Sequence, residues 1–264
     1  MIAKTSYKEK VNEEMTENIR WDLKDIFKVF LFFFFMMQVG IPVLLKIIEH
    51  VFGLNLLDSF NQNTVILSLS LFINILTCLY IFRIIRLKYG LPVITSLGFT
   101  TDNWKNDVKF GLKHYFIVLP FIIAAGFVVD FIARKFGAPL EQQEIIKRVL
   151  EEESLAVLVF MFLFGILAAP VIEELLFRGF IQPAIRTNFG KLKAVFISGL
   201  LFATVHLNAY VFLQIFILGL LLAYLFEKTG SLIAPIAVHI FHNTATLAFL
   251  ISFKHLLKDS VAVN

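Results

Sequence analysis

Long runs of hydrophobic residues, separated by short charged stretches, make up most of this 264-residue chain. A helix needs about 20 mainly apolar residues to cross the hydrocarbon core of a bilayer. On that rule the pattern predicts seven membrane-spanning helices, or eight if one connector also crosses. The predicted spans are 27–50, 64–87, 109–133, 154–186, 191–208, 210–227 and 231–253. The predicted fold class is therefore an all-α, polytopic membrane helix bundle.

The segments between these runs divide the chain into four parts. We predict a cytoplasmic N-terminal segment at 1–26, N-terminal membrane helices at 27–153, a second helix bundle at 154–253 and a tail at 254–264. Within 141–153, apolar residues recur at helical spacing among charges, which predicts an amphipathic helix on the membrane surface. It is either a passive surface helix or a gate.

Composition excludes a soluble globular domain. Hydrophobic residues form 58% of the chain, which includes 31 Phe, and the mean hydropathy is +0.81; both values are far above those of soluble proteins. Cys78 is the single cysteine, so an intrachain disulfide and a multi-cysteine metal site are excluded.

The charges predict an orientation in the membrane. Lys and Arg are concentrated in the segments that are cytoplasmic if the N-terminus is inside, which places the C-terminus outside. Arg134, Lys135, Lys147 and Arg148 argue partly against this arrangement. The basic residues lie at the ends of apolar runs, so membrane orientation explains the sequence pI near 9.1 without a nucleic-acid partner. The absence of organelle signals favours a bacterial cytoplasmic membrane.

Two adjacent carboxylates, Glu173 and Glu174, interrupt the fourth predicted span. Each charge costs roughly 2.5 to 3.5 kcal/mol at the centre of a membrane helix, so the pair indicates a functional site. Glu173 lies 16 residues before Phe189, and His206 lies 16 residues after Gly190. If these two spans form an antiparallel hairpin, Glu173 and His206 face each other about 24 Å from its turn.

The neighbours of these two residues indicate a division of roles. Glu174 and Arg178 are four positions apart and share a helix face, which predicts an orienting ion pair. Glu173 points about 100° away and is the chemically free carboxylate. Phe202 stands one turn before His206 and is expected to limit its contact with water.

The last predicted span adds His239 and Asn243, again four positions apart. His242 is close to the same face but ranks below His239. Only nine residues separate Gly230 from His239, about 14 Å of helix, so His239 is expected at a shallower depth than His206. Polar residues also join membrane helices without any chemistry, at about 0.6 kcal/mol per interaction, but that explains one or two of them better than five.

These groups suit hydrolysis by an activated water. Glu173 takes the proton of the water, and His239 with Asn243 donates to the developing oxyanion. Alternatively, Glu173, His206 and His239 hold zinc or another divalent metal with one open position. Serine chemistry through Ser198 has no partner at a matching depth.

Three stretches together resemble a known family. They are Glu-Glu-x-x-x-Arg at 173–178, Phe-x-x-x-His at 202–206 and His-x-x-x-Asn at 239–243. In this order they resemble the CPBP intramembrane proteases, which include type II CAAX prenyl endopeptidases and Abi-like bacteriocin-processing or immunity proteins. The resemblance covers about 155–245.

The resemblance implies an all-helical membrane endopeptidase that cleaves a membrane-embedded or membrane-associated peptide or protein. Glu173 and His206 would activate water, and His239 and Asn243 would stabilise the oxyanion or help to bind a metal. Two other classes stay open. One is an ion-coupled transporter, although the chain has no visible repeat; the other is a non-catalytic immunity or scaffold protein.

Overall fold

A computed structural model describes residues 21–137, 148–149 and 151–252. These residues form helices and connecting turns and contain no strand, which confirms the predicted all-α fold class. The helices are α1 Leu23–Phe52, α2 Leu56–Ser59, α3 Gln62–Lys88, α4 Val93–Ser96, α5 Trp104–Phe136, α6 Leu155–Phe189, α7 Lys191–Thr204, α8 Ala209–Thr229 and α9 Ile233–Ser252. Most of the predicted surface helix at 141–153 lies outside the described residues; Arg148, Val149 and Glu151 are helical.

Six helices in the described part of the chain are long and apolar enough to cross a membrane, namely α1, α3, α5, α6, α8 and α9. The span predicted at 191–208 is shorter, because α7 ends at Thr204 after 14 residues, about 21 Å. Leu207 has a φ of 46°, and the Asn208 side chain accepts hydrogen bonds from the first backbone N–H groups of α8. The chain therefore turns back at 205–208, and α7 with α8 forms a helical hairpin.

The tip of this hairpin contacts the middle of α1. Gln38, halfway along α1, donates from Nε2 to the Val205 carbonyl over 3.4 Å. Gly199 of α7 and Gly219 of α8 allow the two helices to approach closely, since a Cβ on Gly219 would stand 3.0 Å from the Gly199 carbonyl oxygen. The hairpin thus brings the segment after Phe202 to a middle depth.

Wide π-helical turns interrupt the long helices, and three of them precede prolines. They span Met36–Gly40, Phe164–Ala168 and Leu175–Ile181, ahead of Pro42, Pro170 and Pro183. Proline has no N–H and its ring clashes with the carbonyl four residues earlier, so widening the turn relieves the clash. In α6 the turn at Leu175–Ile181 directly follows Glu174, and its Phe180 carbonyl accepts a hydrogen bond from Trp21 Nε1 at 2.9 Å.

Helix α9 begins inside the protein. The Leu232 N–H donates to the Gly98 carbonyl at 2.8 Å, and the Ser231 hydroxyl donates to the Thr100 carbonyl at 3.1 Å. Gly98 has a φ of 85°, a left-handed conformation that favours glycine. These bonds tie the start of α9 to the connector before α5.

Candidate active site

A buried carboxylate is the centre of the polar cluster. Glu174 Oε1 accepts a hydrogen bond from Arg178 Nη1 at 3.0 Å and lies 2.9 Å from His239 Nδ1. Glu174 and Arg178 have no exposed surface, and His239 is 4% exposed. The structure therefore contains the ion pair that the four-residue spacing predicts, and it adds His239 as a second partner that the sequence did not indicate.

The guanidinium of Arg178 is held from three directions. Its Nη1 donates to Glu174, and its Nη2 donates to the Gly219 carbonyl at 3.0 Å. Its Cζ lies 4.5 Å from the centre of the Phe202 ring. A cation over an aromatic face is stabilised by the ring electrons. Phe202 also contacts His206 and His239 edge-on, and its ring centre lies 5.1 and 5.5 Å from theirs. One aromatic ring therefore packs against both histidines.

The Glu173 side chain is partly exposed, whereas that of Glu174 is fully buried. The side chain of Glu173 is 22% exposed, and its Oε2 lies 3.8 Å from His239 Nε2, an ion-pair distance longer than a hydrogen bond. His239 therefore stands between two carboxylates, with Nδ1 bonded to the buried Glu174 and Nε2 directed towards the accessible Glu173. A carboxylate on one side of an imidazole fixes its tautomer and leaves the other nitrogen for chemistry.

A cavity of about 500 Å³ lies beside this cluster. One face of α9 forms a wall, with lining residues at positions 239, 242, 243, 246, 247 and 250. The wall is polar from His239 to Asn243 and apolar at Leu247 and Leu250. Glu173 of α6 and His206 of the turn after α7 line the same cavity.

Two further hydrogen bonds orient the polar side chains. His206 Nδ1 lies 2.8 Å from the Phe202 carbonyl. Because a carbonyl can only accept, Nδ1 carries the hydrogen and Nε2 is left as an acceptor. Asn243 Nδ2 donates one hydrogen to the Gly165 carbonyl at 2.7 Å, in a widened turn of α6, and keeps its second hydrogen.

The candidate metal ligands can be compared with the side-chain positions. Among the residues that the structure describes, no group of three His, Cys, Asp or Glu side chains is placed to hold a metal ion. Glu173, His206 and His239 all line the cavity. Ser198 is buried and its hydroxyl donates to the Phe177 carbonyl at 3.3 Å, outside the residues that line the cavity.

Sequence reasoning missed three contributors to the site. Gly219 and Gly165 supply backbone carbonyls to Arg178 and Asn243, and Tyr115 of α5 contacts His242 at 3.1 Å. The glycines carried a weak signal, since small residues in membrane helices mark close helix contacts. Tyr115 carried none, because its partner is 127 positions away.

One comparison with known proteins matches this part of the chain. The segment 155–245, from the start of α6 into α9, matches the family model described as "Type II CAAX prenyl endopeptidase Rce1-like". This segment is therefore similar to that family. The match confirms the resemblance predicted from the three motifs, and it supports an intramembrane endopeptidase. The chain has no match among curated proteins or among solved structures.

Proposed function

We propose that the chain is an intramembrane endopeptidase that cleaves a peptide bond of a membrane-associated peptide or protein. One observation supports this most strongly. Glu173 of α6, His206 of the turn after α7, and His239 and Asn243 of α9 line one cavity among membrane-spanning helices. The Rce1-like match of the same segment supports the same reaction class.

In this proposal Glu173 is the general base. It is the accessible carboxylate of the pair, while Glu174 is occupied by Arg178 and His239. The Nε2 of His206 accepts one hydrogen of a water molecule, and Glu173 takes the other as the water oxygen adds to the peptide carbonyl carbon. The Phe202 ring keeps other water away from both histidines.

The oxyanion that forms needs hydrogen-bond donors. The second Nδ2 hydrogen of Asn243 supplies one, and His239 supplies another from Nε2 when it is protonated. Glu173 then passes its proton to the amide nitrogen, the C–N bond breaks, and a carboxylic acid and an amine leave.

The test is cleavage of a membrane-embedded peptide library by the purified protein in detergent. We expect Glu173→Gln and His206→Ala each to lower kcat by about 10²- to 10⁴-fold, the usual contribution of acid–base groups. His50→Ala is the matched control, because His50 is an exposed residue of α1 and does not line the cavity. Full activity in both cavity variants would refute the assigned roles.

The metal alternative is tested in the same assay. The donor geometry predicts that cleavage persists in excess chelator, and that Glu173→Gln binds as much zinc as the wild-type protein. Loss of activity with chelator and its return with zinc would instead require the cavity side chains to rearrange around an ion.

A further inference from the structure

A histidine that the proposed mechanism does not use also lines the cavity. We propose that His242, held by Tyr115, is a substrate-binding residue whose Nε2–H donates to a carbonyl oxygen of the bound peptide. This inference rests on the proposed function, and it assigns Tyr115 the part of a positioning residue.

Close packing of α5 against α9 allows this contact. Gly111 and Tyr115 lie one turn apart on α5, opposite Ala234, Val238 and His242, which are spaced four apart on α9. A Cβ on Gly111 would stand 2.9 Å from Val238 Cγ2 and 3.1 Å from the Ala234 carbonyl oxygen. The missing side chain therefore lets the two helices approach, and one turn further along Tyr115 reaches the histidine ring.

The hydrogen bond between the two side chains selects a tautomer. Tyr115 is 2% exposed, and its hydroxyl lies 3.1 Å from His242 Nδ1. In the described part of the chain this hydroxyl makes no other hydrogen bond, so its hydrogen is satisfied only when it donates to Nδ1. A neutral imidazole that accepts at Nδ1 carries its hydrogen on Nε2. The ring thus offers a donor on the side away from Tyr115.

The position of His242 suits a peptide carbonyl. It lies one turn beyond His239 and directly before Asn243, between the polar cluster and the apolar wall of Leu247 and Leu250. A peptide that places its scissile carbonyl beside His239 and Asn243 extends along this wall. Inside a membrane its neighbouring carbonyl needs a donor, since an unpaired buried polar group is costly.

The experiment compares His242→Phe, His242→Gln and Tyr115→Phe with a matched control. The control is His114→Gln, because His114 bonds the Phe110 carbonyl of its own helix and does not line the cavity. The substrate is the single-span peptide that the wild-type protein cleaves fastest. The loss of one hydrogen bond predicts that His242→Phe raises KM by about tenfold with kcat within about twofold of wild type.

The conservative variants make the test specific. His242→Gln keeps a donor, so its KM should return to within about threefold of wild type. Tyr115→Phe should raise KM less than His242→Phe does. Independently of activity, ¹⁵N spectra of labelled histidine should show the Nε2–H form of His242 in the wild-type protein and its loss in Tyr115→Phe.

Each outcome has a definite meaning. A wild-type KM in His242→Phe, or a His242 ring protonated at Nδ1 in the wild-type protein, overturns the inference. Absence of cleavage by the wild-type protein, or full activity in Glu173→Gln, instead overturns the proposed function. Equal unfolding temperatures of the variants in detergent show that KM reports binding rather than misfolding.

Discussion

At the scale of single residues, the most consequential contact is the buried pair of Glu174 and Arg178. Removing one partner of such a pair leaves an uncompensated charge, which costs about 3–5 kcal/mol. We expect Glu174→Gln to lower the stability by that amount, because it strips partners from both Arg178 and His239. Thermal unfolding in detergent measures the effect.

The chain provides a matched control for this prediction. Asp130 and Arg134 have the same four-residue spacing and an ion pair of 2.9 Å, but their side chains are 31% and 69% exposed. Asp130→Asn should change stability by no more than about 0.5 kcal/mol. The double variant Glu174→Gln/Arg178→Met should be more stable than the two single losses predict. Strict additivity would show that the two buried residues do not act as a pair.

Residue spacing was sufficient to predict some contacts of the site but not others. Glu174 and Arg178 belong to one helix turn, so local geometry alone pairs them. The bond from His239 to Glu174 depends on where α9 begins, and that is fixed by the contacts of Ser231 and Leu232 with a distant connector. A depth count from the nearest turn cannot include such contacts, so it did not predict this bond.

At the scale of helices, the close crossing of α7 and α8 positions the Gly219 carbonyl for Arg178. We expect Gly219→Ala to destabilise the protein by about 1–3 kcal/mol, because the added Cβ would lie 3.0 Å from the backbone oxygen of Gly199. Activity should fall with it. Gly40→Ala is the control, since its Cβ would meet only the flexible side chain of Met36. Equal stability of both variants would contradict the tight crossing.

A second element contact joins the starts of α3 and α6. The side chains of Asn61 and Asn63 and the Ser154 N–H donate to Glu152, and these hydrogen bonds hold the pKa of that carboxyl below its ordinary value. A lowered pKa stabilises the fold above the carboxyl's unfolded pKa of about 4.3, and the contribution is lost as pH falls through the folded value.

Unfolding measured against pH checks this contact. Glu152→Gln should be less stable than the wild-type protein at pH 7, and the difference should shrink once the wild-type carboxyl is protonated. The exposed neighbour Glu151 provides the control, because Glu151→Gln should leave the curve unchanged. A Glu152→Gln deficit that stays constant down to the lowest pH would assign the effect to packing rather than to charge.

At the scale of the whole molecule, hydropathy was sufficient to predict the helices, because each span is encoded in consecutive residues. It did not predict that α7 stops at Thr204. The stop depends on the turn at 205–208, which an apolar sequence on both sides conceals. The π-helical turns were likewise not predicted, although the clash of a proline with the preceding turn gives three of them a physical cause.

The order of the helices predicts which exposed positions lie on opposite sides of the membrane. Between Ser59, at the end of α2, and Lys193, at the start of α7, the chain runs through the long helices α3, α5 and α6. Three crossings place these exposed positions on opposite sides of the membrane. We propose that the Lys193 side is cytoplasmic, because the positive charges concentrate there.

Cysteine labelling in intact cells tests that proposal, and the single Cys78 makes the background simple. In a Cys78→Ser protein, a membrane-impermeant maleimide should label Ser59→Cys in intact cells and label Lys193→Cys only after the membrane is opened. The reverse pattern would invert the orientation but keep the helix path. Labelling of both positions from one side would contradict three crossings, and with them the antiparallel arrangement of α6 and α7 from which the equal depth of Glu173 and His206 is predicted.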